Sequence, residues 1–219
     1  MVSVLVVTDQ SLQRLALRML LAAEPDLSVV GEAASGAEAV RLSAELRPDV
    51  VLVDGRLAPA DGIATVRRLA EAPHTPRTLV LTPAGDEGYA YTALHAGADG
   101  FVLEDAALDE LVSAIRVVAT GDAVITPGLT RALIDAVRQQ GTVHPLHRVS
   151  TVDALTARER DILLAVASGR SNAEIAKWLS IAPTTVKSHV SHILAKIGAR
   201  ARVQAVAFAY ESGLVRPAA

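Results

Sequence analysis

Val50-Val51-Leu52-Val53-Asp54-Gly55-Arg56-Leu57-Ala58-Pro59-Ala60-Asp61-Gly62 decides the architecture of the first half of this chain. Four consecutive apolar residues end on a carboxylate and run into a turn punctuated by Gly and Pro. Apolar side chains at every position, rather than every second one, are the mark of a parallel strand covered on both faces. Val2–Val7, Leu27–Val30, Thr78–Leu81 and Gly100–Leu103 read the same way. Between these runs, Leu12–Leu21, Ala37–Leu46, Ile63–Leu69, Tyr89–Ala96 and Leu108–Thr120 repeat apolar residues at helical spacing. Gly31, Gly62, Gly97 and Gly121 are expected at the junctions. Alternating strands and helices predict an α/β domain: a doubly wound, five-stranded parallel sheet with right-handed crossovers in the flavodoxin-like order.

In such a sheet the functional site lies at the carboxyl ends of the strands. Asp9 follows the first run, Asp54 ends the third, Thr82 ends the fourth and Glu104 ends the fifth. Two carboxylates with a hydroxyl at one rim suit a hard divalent cation and a phosphoryl group. Any one of these residues alone is more often a helix cap or a turn residue. Their shared position at one edge of the sheet is what marks a site.

Val-Val-Leu-Val-Asp54-Gly-Arg-Leu-Ala-Pro-Ala-Asp-Gly, Leu-Val-Leu-Thr82 and Ala-Gly-Ala-Asp-Gly-Phe-Val-Leu resemble the receiver domain of bacterial response regulators, from residue 1 to about residue 120. The resemblance implies that Asp54 is the phospho-acceptor position, served by a histidine kinase. It also implies that Thr82 and Phe101 switch rotamer together. It further implies an acidic pair after the first strand that holds Mg²⁺, and a lysine after the fifth strand that grips the phosphoryl oxygens. This chain departs from that pattern. Thr8-Asp9 stands where the acidic pair is expected, so a Mg²⁺ site on Asp9 and Asp54 is weakened by Thr8. Glu104 takes the place of the lysine, and Pro83 fixes φ and removes an N–H next to the switch threonine. A phosphorylated aspartate carries a charge of roughly −2. At about 4 Å, each pair of unit charges is worth about 4 kcal/mol at an effective dielectric constant near 20. Exchanging an ammonium for a carboxylate therefore disfavours a stable phosphoryl group on Asp54, and Thr8, Pro83 and Glu104 form an altered pocket.

The charge distribution supports two halves with different partners. The 3 lysines, Lys177, Lys187 and Lys196, all lie beyond residue 176. A codon bias towards Arg would deplete lysine, but it would leave Arg rather than glutamate at position 104. Residues 1–135 have a net charge of −9 and residues 151–219 a net charge of +4. An acidic regulatory part joined to a basic nucleic-acid binder shows this split. The absence of cysteine excludes disulfides and thiolate metal sites. No signal-peptide pattern opens the sequence, and no apolar run approaches the roughly 20 residues that span a bilayer. A cytoplasmic protein without a membrane segment is expected.

The division is expected at 1–122 for the receiver, 123–150 for an extension and linker, and 151–219 for a small all-α domain. Pro127–Gln140 has the pattern of one more helix, and 141–150 reads as a tether in which His144 and His147 are solvated rather than metal ligands. Thr156-Ala-Arg-Glu159 and Ser171-Asn-Ala-Glu174 are capping boxes, and Pro183 suits the first turn of a third helix that Gly198 ends. Two helices joined by a tight turn at Ser180-Ile181-Ala182 make a helix-turn-helix whose third helix reads DNA. Val186, Val190, Ile193, Leu194 and Ile197 form the buried stripe of that helix. Lys187, Ser188, Ser191 and Lys196 fall elsewhere on it, the first three near its exposed N-terminal half, and Thr184 and Thr185 sit at its start, where free N–H groups meet phosphate.

Leu155-Thr-Ala-Arg-Glu-Arg, Ser-Asn-Ala-Glu-Ile-Ala and Thr-Val-Lys-Ser-His-Val-Ser-His-Ile-Leu-Ala-Lys-Ile resemble the LuxR-type helix-turn-helix. Joined to a receiver, this is the NarL/FixJ class of response regulators. The resemblance implies base contacts by Lys187, Ser188 and Ser191, backbone contacts near Thr184, Thr185 and Lys196, and pairing of two subunits through the final helix. The expected protein is a homodimeric, sequence-specific binder of double-stranded DNA that regulates transcription. It is not an enzyme, requires no cofactor, and is controlled without conventional phosphorylation of Asp54. Two alternatives stay open. One is a conventional or weakly phosphorylated two-component regulator. The other is a pocket reshaped for a small-molecule ligand or a protein partner.

Overall fold

A computed structural model describes residues 1–57, 59–83, 87–122, 154–199 and 202–215. The chain divides into two compact units, Met1–Leu129 and Thr130–Ala219. The expected helix over Pro127–Gln140, the tether with His144 and His147, and so the expected 123–150 segment, lie outside the described residues.

The first unit runs β1 (Val2–Val7), α1 (Ser11–Ala22), β2 (Leu27–Ala33), α2 (Gly36–Leu46), β3 (Val50–Asp54), α3 (Pro59–Glu71), β4 (Arg77–Thr82), α4 (Glu87–Ala96), β5 (Gly100–Leu103) and α5 (Leu108–Ala119). All strand pairs are parallel, in the order β2-β1-β3-β4-β5. Successive side chains of a strand point to opposite faces. Val4, Val6, Val50, Leu52 and Leu79 pack on one side with Leu17 and Leu21 of α1 and Leu111, Ile115 and Val118 of α5. Leu5, Val7, Val51 and Val53 pack on the other with Ala39 of α2 and Leu69 of α3. Helices on both faces explain why the strands are apolar at every position, and all five residues of β3 are buried.

Two glycines sit differently from the expectation. Gly31 does not end β2, which continues to Ala33. The register skips Val30, so that Val4 pairs with Val29 and Leu5 with Gly31. A Cβ on Gly31 would meet Leu46 Cδ1 at 2.6 Å and Leu5 Cδ1 at 3.1 Å, so close packing, not a turn, calls for glycine there. Gly62 lies inside α3, where a Cβ would stand 2.5 Å from the Tyr89 hydroxyl of α4. Gly97 and Gly121 do close helices, at φ of 112° and 86°.

The second unit is helical: α6 (Ala157–Ala167), α7 (Asn172–Leu179), α8 (Pro183–Ile197) and α9 (Arg202–Glu211). Both capping boxes form, with Thr156 and Glu159 bonding reciprocally at α6 and Ser171 and Glu174 at α7. Ser180 turns the chain in the left-handed region between α7 and α8, and Gly198 ends α8. Ile162, Leu163, Ile175, Val186, Ile193 and Phe208 are at most 2 % exposed and form the core. Every α9 side chain among the described residues is buried or half-buried. Among the described residues, no helix is long and apolar enough to cross a membrane.

Candidate phosphoryl pocket and nucleic-acid interface

The carboxyl ends of β1, β3, β4 and β5 bring Thr8, Asp54, Thr82 and Glu104 to one edge of the sheet. Asp54 is 1 % exposed. Its Oδ1 accepts the Arg56 backbone N–H at 2.8 Å and its Oδ2 accepts the Thr8 hydroxyl at 2.7 Å. The fully buried Thr8 hydroxyl also lies 2.8 Å from Gln13 Oε1, and its single proton serves one acceptor at a time. Next to Asp54, the Gly55 N–H donates to the Leu81 carbonyl at 2.7 Å. A Cβ on Gly55 would stand 2.5 Å from that carbonyl and 3.2 Å from the Tyr89 ring. Thr82 is fully buried, and its hydroxyl donates a long 3.4 Å bond to the Val102 carbonyl. Its own carbonyl accepts the Glu104 N–H at 3.0 Å. Phe101 is fully buried and Pro83 half-buried.

Glu104 turns into this pocket. Its side chain is 14 % exposed, and Oε2 forms an ion pair with the Arg56 guanidinium. Oε1 is buried and accepts no hydrogen bond among the described residues. Burial pushes the Glu104 carboxyl above the usual range. The Arg56 charge opposes that rise, and the nearby Asp54 adds to it. Arg56 is the residue that the sequence reading passed over. It stands two positions after Asp54 inside the stretch that defines the strand, and the signal was available: a pocket that loses its lysine and gains a carboxylate needs another cation. Arg56 thus serves two carboxylates, its guanidinium pairing with Glu104 and its backbone N–H bonding Asp54.

This donor set does not fit the divalent-cation site implied by the resemblance. A neutral hydroxyl replaces one acid, and Asp9 is exposed. No three His, Asp or Glu side chains converge as a metal site among the described residues. A hard divalent cation prefers several oxygen ligands, carboxylates foremost, and Arg56 brings a competing positive charge.

The second site is the outer face of α8. Pro183 occupies its first turn, and Ala182, at the cap, makes no side-chain cap bond. The first helical N–H groups therefore have no capping side chain. Thr184, Thr185, Lys187, Ser188 and Ser191 are all exposed, while Val186, Val190, Ile193 and Ile197 are buried on the opposite side. Leu194 is half-buried at the margin of that stripe. The Ser188 hydroxyl donates to the Thr184 carbonyl at 3.1 Å.

Lys196 stands apart from that outer face. Its ammonium donates to Glu159 Oε2 at 2.6 Å, which joins the C-terminal turn of α8 to the capping box of α6. This bond, with the bonds from Thr156, lowers the Glu159 carboxyl to about 2. At about 100° per residue, position 196 falls on the flank beside Ile193 and Ile197, opposite the flank that carries Lys187. Arg202 holds α9 to the start of α7 by donating to Asn172 Oδ1 at 2.7 Å.

Residues 4–116 match the response regulator receiver domain, and residues 153–209 match the luxR family of bacterial regulatory proteins. The transcriptional regulatory protein LiaR of Bacillus subtilis is 34% identical over 215 residues, which are 98% of this chain and 100% of LiaR. The nitrate/nitrite response regulator protein NarL of Escherichia coli is 34% identical over 212 residues, which are 95% of each chain. The crystal structure of the response regulator ChrA, from a heme-sensing two-component system, aligns over 98% of both chains with a TM-score of 0.52 and 31% identity. The chain belongs to the response regulators that join a receiver domain to a LuxR-type DNA-binding domain.

Proposed function

We propose that this chain regulates transcription as a homodimer bound to double-stranded DNA in the cytoplasm, and that its receiver works without conventional phosphorylation of Asp54. The observation that carries the reading is the Arg56–Glu104 ion pair beside Asp54. A phosphoryl group would bring roughly −2 to a pocket that already holds Glu104. The Arg56 guanidinium would have to leave Glu104 to meet it. Thr8 and the exposed Asp9 supply no metal cage to offset that charge, so we assign no cofactor. The exposed start of α8, with Thr184, Thr185, Lys187, Ser188 and Ser191, needs no rearrangement within its helix to meet a major groove. Lys196 is assigned to the internal support of that helix rather than to the DNA backbone. We assign no catalytic role to any residue.

The test has two parts. Protein never exposed to a phosphodonor is expected to bind a repeat in its own regulatory region. Incubation with Mg²⁺ and a small phosphodonor is expected to leave its intact mass equal to that of an Asp54→Ala control. A phosphoryl adduct on the wild type alone would overturn the phosphorylation-independent reading, as would DNA binding that appears only after treatment. The buried Oε1 of Glu104, which accepts no hydrogen bond among the described residues, favours a second reading, a pocket for a ligand that donates a hydrogen bond. Melting curves that stay flat across a broad metabolite library would count against it.

A further inference from the structure

A cavity of about 430 Å³ opens at the amino ends of β3 and β4, the opposite end of the sheet from Asp54. Sites for small molecules run from about 300 to 1,000 Å³. Three of its lining side chains can donate to an anion and have no partner among the described residues. The Ser43 hydroxyl, in the last turn of α2, belongs to a residue only 3 % exposed. Buried polar groups are normally hydrogen-bonded, so this one is a donor held ready for a group in the cavity. The Arg47 guanidinium and the His74 ring complete the three. Arg77 adds a further donor: one N–H bonds Asp99 Oδ1 at 2.9 Å, and its side chain stays 38 % exposed. A guanidinium has five N–H groups to give. Arg47 is also held at a conformational cost. It caps α2 at φ 48° and ψ 57°, in the left-handed region that ordinarily goes to glycine. Strain retained under a charged side chain points to a use for that side chain.

We propose that this cavity binds a small organic phosphate ester. Its charge is the reverse of its surroundings. Residues 1–135 have a net charge of −9, yet two guanidiniums meet here against one lining carboxylate, Asp49. That carboxylate is already engaged, since its Oδ2 accepts the Ser3 N–H at 2.8 Å and the Ser3 hydroxyl at 2.7 Å. The direction of the donors selects phosphate over carboxylate. A carboxylate presents two oxygens in one plane, which a single guanidinium fork satisfies. A phosphate ester presents three strong acceptor oxygens around a tetrahedral centre. Here the donors come from α2, from the turn between α3 and β4, and from β4 itself, so they surround a group rather than lie beside it. The volume leaves room for an organic body beside the phosphate, and Pro48, Pro76 and Ala119 give that body a stiff apolar wall. The site shares no residue with the Arg56–Glu104 pocket or with α8, so it stands whether or not Asp54 is phosphorylated.

The test is calorimetric titration of the full-length protein, without DNA, using phenyl phosphate and succinate as probes. Phenyl phosphate is expected to fill one saturable site per chain in the sub-millimolar range. Succinate, a dianion built from carboxylates, is expected to bind about ten-fold more weakly or worse, the scale of one charge-assisted hydrogen bond. Arg47→Gly removes the guanidinium and suits the left-handed backbone, and Ser43→Ala suits a helix, so both variants keep the fold. Each is expected to weaken phenyl phosphate by about ten-fold or more, with an unchanged circular dichroism spectrum. Asp54→Ala and Lys187→Ala are expected to bind it as the wild type does. The proposal is overturned if phenyl phosphate does not saturate, if succinate binds as tightly, or if Arg47→Gly and Ser43→Ala match the wild type. Loss of binding in Asp54→Ala or Lys187→Ala would also overturn it, because the phosphate would then sit at the carboxyl end of the sheet or on α8. These readouts contain no DNA, so a failure to bind DNA would sink the proposed function and leave the cavity site intact, and the reverse also holds.

Discussion

A half-buried carboxylate at position 104 needs a cation, and Arg56 supplies it from the loop after β3. Replacing Glu104 with Lys removes one negative charge, adds a positive one and frees the guanidinium. At about 4 Å and an effective dielectric constant near 20, each unit charge pair is worth up to about 4 kcal/mol, and 1.4 kcal/mol is a factor of ten. Glu104→Lys is therefore expected to accept a phosphoryl group from a small donor at least ten-fold more than the wild type, read as intact mass against Glu104→Lys/Asp54→Ala. Equal adducts in wild type and variant would mean that the charge at 104 does not govern the pocket. Gly55 is constrained by backbone rather than by charge. A methyl there meets the Leu81 carbonyl at 2.5 Å, and a main-chain oxygen between two paired strands cannot rotate away. Gly55→Ala is expected to destabilise the receiver by about 1–3 kcal/mol, seen as a lower urea midpoint of its unfolding. Asp54 and Thr82 were legible in the sequence because each ends an apolar run. For Glu104 the sequence signals the need for a cation, but that Arg56 answers it shows only when β3 and β5 lie in one sheet.

Helices α6 and α7 follow their sequence signals closely, because a capping box is a contact across three residues. Thr156 with Glu159, and Ser171 with Glu174, need no knowledge of the rest of the fold. Gly31 and Gly62 misled for the opposite reason: the atoms that demand glycine belong to Leu46 and Leu5 in one case and to Tyr89 in the other. The Lys196–Glu159 bond was equally hidden from the sequence, since its two residues lie on different helices. That bond carries a pH dependence. Glu159 is lowered from 4.5 in its ordinary state to about 2 in the fold. Its contribution is therefore fully present above about 4.5 and is lost as pH falls from there through 2. Glu159→Gln is expected to cost the helical unit about 1 kcal/mol near pH 7, the scale of a lost cap. The gap from wild type should shrink steadily below pH 4.5. Urea unfolding followed by helical circular dichroism at pH 6 and pH 3 checks this, and a gap that stays constant with pH would rule out the titrating pair.

The whole molecule is an anion that has to bind a polyanion. Its net charge is −3, with −9 on residues 1–135 and +4 on residues 151–219. At physiological ionic strength the Debye length is about 8 Å, so acidic groups farther than that from the DNA are largely screened. Binding then depends on the few cations that touch phosphate, and each phosphate contact contributes about −0.9 to the slope of log affinity against log salt. Two lysines of α8 separate under this argument. Lys187 is on the exposed outer face beside Ser188 and Ser191, whereas the Lys196 ammonium is engaged by Glu159. Lys187→Ala is expected to weaken binding to the chain's own regulatory DNA and, where it contacts phosphate, to reduce the salt slope by about 1. Lys196→Ala is expected to leave the slope unchanged while lowering the stability of the helical unit, because it removes the bond to Glu159 and leaves that carboxylate facing a gap. Titrations of the three proteins across a series of salt concentrations, with urea midpoints measured on the same samples, give both quantities. A salt slope that drops in Lys196→Ala and holds in Lys187→Ala would reverse the assignment and put the DNA backbone on the other flank of α8.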